Sequence, residues 1–504
     1  MQIKDYDNPA ELRLIEACRK GDDAIISWAR PEAGRADNTI RAGLIRALLL
    51  GTDDCTPPAR GLWIEGAWIT GNLYLAGEAL KAPLVLIRCT LEEDVLLMDC
   101  TLPGLYMPGT HLPKLNAHRL QCNGPLHLRE GFQATGLVDL GSPTITGQLS
   151  CASGKFLAQN MALNCNTVTV GADVFLRGEF EARGRINLIR AEINGNLELS
   201  SATLTKGLDA QGIRVRAQFV WADIEGDGIA VVLIDAKVGT LCDTPGSWQS
   251  VKKLRLSSFR YERIESDMDV QERLDWLAKH DATVSRFTPQ PCVQLANILR
   301  RQGFAGDAAR VLMRREDKQR AEEWDRAITA MDFSLRRELT AYAHQYRPFL
   351  SLPFKWMFGY GHQPAWVLLW IAAILGITIW FAQQIHIHGQ FAPTSSVVLT
   401  SQDWLDSFPT EPLHPDSPLW RTQMDAWAQT TSGRDYTSFS AFLYALDLFI
   451  PLDALGQEKN WAPSAERGGW GDWGHRLRWL VQMAGWVITA IGAAVLTGLI
   501  GRRD

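Results

Sequence analysis

A seven-residue pattern that returns about every 23 residues limits what this chain can fold into more than any other feature. From Leu62 onward it reads apolar, x, small, x, apolar, x, apolar. The clearest copies are Ile69-Thr-Gly-Asn-Leu73-Tyr-Leu75, Cys122-Asn-Gly-Pro-Leu126-His-Leu128 and Ile193-Asn-Gly-Asn-Leu197-Glu-Leu199. Weaker copies begin at Leu91, Ile145, Val170, Val215 and Val238, and successive starts are separated by 22, 31, 23, 25, 23, 22 and 23 residues. A second apolar pair precedes every start, from Leu62/Ile64 and Leu84/Leu86 to Val231/Leu233. Alternation with period two marks strands with one face inward. Two such strands per repeat predict a coiled parallel sheet, each strand stacked ~4.8 Å from its equivalent in the next coil. The spacing predicts eight coils over residues 61–260, with a loop insertion between Gly104 and Pro113 accounting for the one long interval. The small third residue (Gly71, Gly124, Gly147, Ala172, Gly195, Ala217) is expected at a corner with no room for a bulky side chain.

The pattern resembles pentapeptide-repeat and other right-handed parallel β-solenoids, without a strict five-residue period. Many β-solenoids cleave polysaccharides, a chemistry that needs charged groups converging on one outer face. The outward positions are mixed instead: Thr70, Tyr74, Asn123, His127, Ser150, Asn194, Glu198, Arg216 and Val220. No acidic or basic ladder is read from them. His111, His118 and His127 lie close in sequence but match no zinc-ligand spacing. The solenoid is therefore expected to be a scaffold or binding surface rather than an enzyme, with no cofactor and no metal.

Residues 1–60 read as a helical cap that covers the open sheet edge, with Asn8-Pro9 starting one helix and Gly51 ending another. Over residues 268–347 the strand pattern gives way to helical periodicity. Leu295, Ile298 and Leu299, then Gly303 and Gly306, then Ala308, Val311 and Leu312 resemble a single tetratricopeptide-type hairpin, which acts as a packing unit. This connector is basic, and its neighbouring acids predict helix-face pairing. Arg336, Arg337, Arg347 and Lys355 are left over and suit anionic lipid.

Two charge-free stretches follow, 365–382 with eighteen residues and 479–500 with twenty-two. Each is long enough to cross a hydrocarbon core of about 30 Å. Twelve of the nineteen Trp lie between Trp356 and Trp486, as membrane interfaces favour. Basic residues before the first helix, and Arg502 and Arg503 after the second, predict that both termini and the solenoid are cytoplasmic at a bacterial inner membrane. The link 383–478 is then extracytoplasmic, although Arg476 and Arg478 at its end oppose that orientation. The opening residues have no apolar leader region, and all nine Cys lie between Cys18 and Cys292 as expected of buried thiols in a reducing compartment. The second stretch carries Gly485, Thr489, Ala493, Thr497 and Gly501 at four-residue spacing, a stripe for close helix packing within one chain or between subunits. Residues 439–455 are apolar, too short to span and broken by Pro451, which suits a re-entrant segment. Asp447 and Asp453 sit in it, where an acid needs water or a partner.

The order helix, short segment, helix resembles the two-helix pore-loop module of small ion channels. It departs from the potassium filter, with Ile450-Pro-Leu-Asp453 at the filter position and Phe358-Gly-Tyr-Gly361 before the first helix. The run from Asp447 to Glu458, then Trp461, then Gly485-Trp486 and Thr497, also resembles the C-terminal part of a bacterial family with N-terminal solenoids. Some such chains carry an oxidoreductase label, but no dinucleotide glycine fingerprint or paired cysteine occurs here. The resemblances imply a homo-oligomeric, channel-like membrane protein with a sensing or assembly solenoid, or a membrane-permeabilising effector. A membrane-anchored scaffold without a pore is the alternative. The expected partners are the lipid bilayer, further copies of the chain, and a cytoplasmic ligand or protein on the solenoid. A net charge of −5 argues against nucleic acid.

Overall fold

The computed structural model describes residues 6–51, 57–329, 365–409, 413–450 and 455–496. It separates into two compact units, Met1–Asp325 and Arg326–Asp504.

The coils of the first unit have four faces; in the regular coils each face carries its own short strand, and in later coils a single strand such as Leu197–Leu204 or Arg214–Glu225 runs across two or more faces. In one regular coil the four strands are Leu84–Ile87 on face one, Thr90–Leu91 on face two, Val95–Leu96 on face three and Thr101–Leu102 on face four. Equivalent strands of successive coils pair in parallel, as Leu84 does with Leu62 before it and Leu105 after it. Face three is a separate sheet of nine strands from Leu73–Tyr74 to Val251–Arg255, so the solenoid makes about nine turns rather than eight. The N-terminal cap also supplies strands, Ala24–Ile25 and Thr39–Arg41, which pair with Ile64–Glu65 and Trp68–Thr70.

The expected insertion at Gly104–Pro113 is not there. Leu105–Tyr106 is a face-one strand between Leu84 and Leu126, and His111–Leu112 lies on face two between Thr90 and Gln133–Ala134. The 31-residue interval is a change of phase. Copies of the motif at Ile69 and Leu91 begin on face two, whereas those at Cys122 and Ile145 begin on face four. This is also the most regular stretch of the solenoid. Val95, Cys100, Leu105, Thr110, Leu115 and Leu120 are buried at every fifth position, and so are Leu97, Leu102, Met107, Leu112, Ala117 and Cys122. That spacing is consistent with a pentapeptide-like repeat. Thr110 holds an apolar row by satisfying its hydroxyl internally: it donates to the Leu86 carbonyl at 2.8 Å and accepts from the Cys89 N–H at 3.2 Å.

Two corners of the coil need a left-handed residue. The corner after face three is filled in turn by Gly77, Asp99, Arg119, Ser142, Thr167, Arg190, Gly212, Asp235 and Ser258, all with positive φ. A side chain in that conformation costs about 1 kcal/mol. The solenoid tolerates it because the corner N–H is paired, as with Asp99 to the His118 carbonyl and Arg119 to the Gly141 carbonyl. The small motif residues act differently. At Gly124 a Cβ would strike the Pro103 carbonyl of the previous coil. Gly71 has open space but a φ of 80°.

Both ends are closed by helices anchored through buried ions. Helices α1 (Pro9–Lys20) and α2 (Ala42–Leu50) cover the first coil, and the fully buried Glu11 carboxylate binds Arg41 at 2.7 and 2.8 Å. Helix α3 (Val270–Asp281) packs on Val251–Arg255. Its buried Arg273 grips Asp243 with two hydrogen bonds of 2.6 and 2.8 Å, and Trp248 Nε1 donates to the same carboxylate at 2.7 Å. Helices α4 (Gln290–Arg301) and α5 (Ala305–Thr329) complete the hairpin, tied back by Arg314 to Asp281 at 2.6 Å.

Among its described residues the second unit shows no repeat. Helices α6 (Ala365–Ile387), α7 (Leu419–Ala428), α8 (Ala441–Phe449) and α9 (Gly469–Leu496) are its main elements. An antiparallel pair, Phe391–Pro393 with Trp461–Pro463, brings the chain after α6 beside the chain before α9. The core is small and aromatic: Phe391, Trp404, Trp427, Tyr444, Phe449 and Trp461.

Candidate functional site

The solenoid offers two surfaces. Beside face one of the early coils lies a cavity of about 730 Å³ lined by Trp28, Trp63, Tyr106, His127, Arg60 and Arg88. Parallel stacking puts Tyr106 in register with His127, and the two rings meet edge to face at 5.1 Å. His127 is buried and hydrogen-bonded to Gln148 at 2.8 Å, and burial holds its pKa below the usual histidine range. Trp28 is 72% exposed. The basic groups are partly committed, Arg88 to Glu65 and Arg60 to Asp23.

The second surface corrects the reading that no charge ladder exists. On face four Arg214 is in register with Glu192 and Lys237, and Lys237 with Arg260. Glu192, Arg214 and Lys237 each occupy the position just before a motif start, so this part of the ladder is visible in the sequence once the starts are aligned. Arg214 is paired with Glu192 at 3.1 Å. The three histidines do not converge, since His111 is on face two, His127 on face one, and His118 beside the face-three corner at Arg119.

In the second unit α8 packs against both α6 and α9. Its Asp447 is buried, and its carboxylate accepts the Leu455 N–H at 3.1 Å and the Glu458 N–H at 2.9 Å. The partner expected for this acid is thus the returning backbone, and Asp447 closes the loop that follows α8. Gln457 fastens the other side, donating to the Ser438 carbonyl at 3.0 Å and accepting the Ser440 N–H at 3.2 Å. Glu458 in turn binds Arg478 at 2.6 Å, and Arg476 pairs with Asp472 at 2.9 Å. Of the small-residue stripe, Gly485 is buried where a Cβ would strike the Phe449 carbonyl, so it serves packing within the chain. Thr489 is exposed. Pro451, Asp453, Thr497, Gly501, Arg336, Arg337, Arg347, Lys355, Arg502, Arg503 and Phe358–Gly361 lie outside the described residues, and Ala493 is described only as part of α9.

Among the described residues one helical stretch, Leu368–Ile387, is long and apolar enough to cross a membrane. Of its side chains Leu368, Leu369, Ile377 and Trp380 are more than half exposed. Trp479, Leu480, Met483 and Trp486 on α9 are exposed to a similar degree. The second expected crossing, 479–500, begins within α9 and runs past the described residues.

Sequence reasoning missed Arg467. It is 7% exposed, donates to the Phe391 carbonyl at 2.9 Å, and lies 4.8 Å from the Trp420 ring centre. Burial pushes its pKa down to about 10. It ties the chain before α9 to the strand after α6, a role that spacing along the sequence does not signal. No family model, curated protein or solved structure matches this chain.

Proposed function

We propose that the second unit is a pore-loop membrane module that works as a homo-oligomer, with the solenoid as its cytoplasmic sensing or assembly domain. The observation that carries this reading is α8 held against both long helices while those helices leave apolar side chains uncovered. Lipid and neighbouring subunits would cover such faces. In this reading the solenoid winds right-handed, α6 and residues 479–500 cross the bilayer, and 439–455 is re-entrant. Arg336, Arg337, Arg347, Lys355, Arg502 and Arg503 meet lipid headgroups, and Thr489, Ala493, Thr497 and Gly501 face a second subunit. With Asp447 committed to backbone N–H groups, the acid left for a pore is Asp453. Membrane permeabilisation by an effector is one setting for such a pore.

The test is subunit number in mild detergent together with currents in planar bilayers, comparing the native chain with Asp453→Asn. A ring-forming oligomer whose current changes with that substitution supports the pore. A monomer or dimer without conductance overturns it. The aromatic cavity beside face one favours a second reading, a membrane-anchored binding protein, and that reading then leads.

A further inference from the structure

Across the last coils of the solenoid runs a groove of about 560 Å³, within the size range of small-molecule sites. Its charged lining is Arg190, Glu192, Arg214, Asp235, Lys237 and Arg260, and the rest of the wall is polar or glycine. Face four supplies Glu192, Arg214, Lys237 and Arg260, one per coil and in direct register. The left-handed corner beside it supplies Arg190 and Asp235. Gly212 follows Arg190 at this corner, and a Cβ there would stand 3.4 Å from Arg190 Cγ. The arginine stem therefore lies beside the gap that the glycine leaves in the lining.

Like charges directly opposite one another on neighbouring strands are destabilising. Elsewhere the solenoid sets an outward cation beside an acid one coil away: Arg88 with Glu65, Arg119 with Asp99, Arg177 with Glu198 and Lys252 with Asp227. Arg214 follows the same rule with Glu192 at 3.1 Å, but Lys237 and Arg260 extend the column with no acid between them. Arg190, Lys237 and Arg260 form no ion pair among the described residues. A single solvated cation selects little. Here neighbouring strands stand about 4.8 Å apart, inside the Debye length of ~8 Å at physiological salt, so the potentials of successive cations add within the groove.

We propose that this groove binds a chain of phosphates, held by Lys237 and Arg260 on face four and by Arg190 at the corner. A lining without apolar side chains gives nothing to an aromatic or aliphatic body. The surplus of cations is answered by a ligand with several negative charges close together. Tetrahedral phosphates present oxygens on all sides, so donors from separate strands each take their own. Asp235 opposes the ligand, as the lining acid with no ion pair among the described residues. The proposal names a ligand class for the sensing role given to the solenoid, and rests on that reading for its use.

The test is calorimetric titration of the full chain in mild detergent and magnesium-free buffer with inorganic triphosphate, orthophosphate and citrate. The expected result is saturable triphosphate binding, at least about tenfold tighter than either other anion and weaker as salt is raised. Replacing both Lys237→Gln and Arg260→Gln, two exposed side chains, should weaken triphosphate at least about tenfold. Asp235→Asn removes the opposing charge with a residue that tolerates the left-handed corner, and should tighten binding about threefold. No saturable triphosphate binding, citrate or orthophosphate bound as tightly, or binding unchanged in the double variant overturns the proposal. A chain that binds triphosphate without conducting fails the pore reading alone, and one that conducts without binding fails this proposal alone.

Discussion

The two units solve burial in opposite ways. In the solenoid each coil finds its partners in the coils before and after it. Backbone N–H groups pair from coil to coil, and the interior rows stay closed from Leu62 to Tyr261. Its buried ions sit at the two ends, each with an opposite charge: Glu11 with Arg41 and Asp243 with Arg273. The second unit has no such repetition. It rests on a few single contacts, and it buries Arg467 against carbonyls and rings while leaving apolar helix faces outside. A repeat distributes its stability among neighbours, whereas a non-repeating unit concentrates it in particular residues.

This contrast can be broken or sharpened by experiment. The largest effect is expected at the solenoid end. Arg273→Leu leaves the Asp243 carboxylate buried without its cation, at a cost of about 3–5 kcal/mol. Denaturant unfolding followed by near-ultraviolet circular dichroism should register it, because Trp221, Trp248 and Trp276 stack beside the pair. A loss below about 1 kcal/mol would mean that the last coil does not depend on its cap.

Next is Asp447→Ala, which orphans the N–H groups of Leu455 and Glu458 and should destabilise the second unit by about 2–3 kcal/mol. Limited proteolysis of the loop after α8 reports it directly, and unchanged protection would remove Asp447 from the framework. Gly485→Ala should cost about 1–3 kcal/mol, since the new methyl must push α9 off the end of α8. Ala at Gly71, where space is open, should cost less and only through its φ of 80°.

The last effect concerns pH. Burial, aided by the charge of Arg30, pushes His111 down to about 4. The unfolded chain therefore binds the proton more readily than the folded one between about pH 6.5 and that value. Solenoid stability should be full above pH 6.5 and decline as pH falls toward 4, and His111→Gln should flatten that slope. A slope unchanged by the substitution would assign it to carboxylates instead.

Several features were legible because they are local. Alternation of apolar residues announced strands, Asn8-Pro9 announced a helix start, and the loss of alternation near residue 268 announced the connector helices. The buried thiols were legible too: Cys89 and Cys100 are fully buried, with pKa values pushed up to about 12 by burial. The phase of the coils was not. The motif at Ile69 and the motif at Cys122 look alike, yet they begin on different faces, and only pairing with residues more than twenty positions away tells them apart. The aromatic core of the second unit was less legible still, since it draws Phe391, Trp427 and Trp461 from separated segments.

The sequence by itself determined that this chain coils, roughly how often, and where the coil stops, because period and side-chain alternation are properties of adjacent residues. Tertiary structure alone decided which face each strand joins and that Asp447 is a buried clasp. Each of those is a distance between residues remote in the chain, set by how strands stack and loops return.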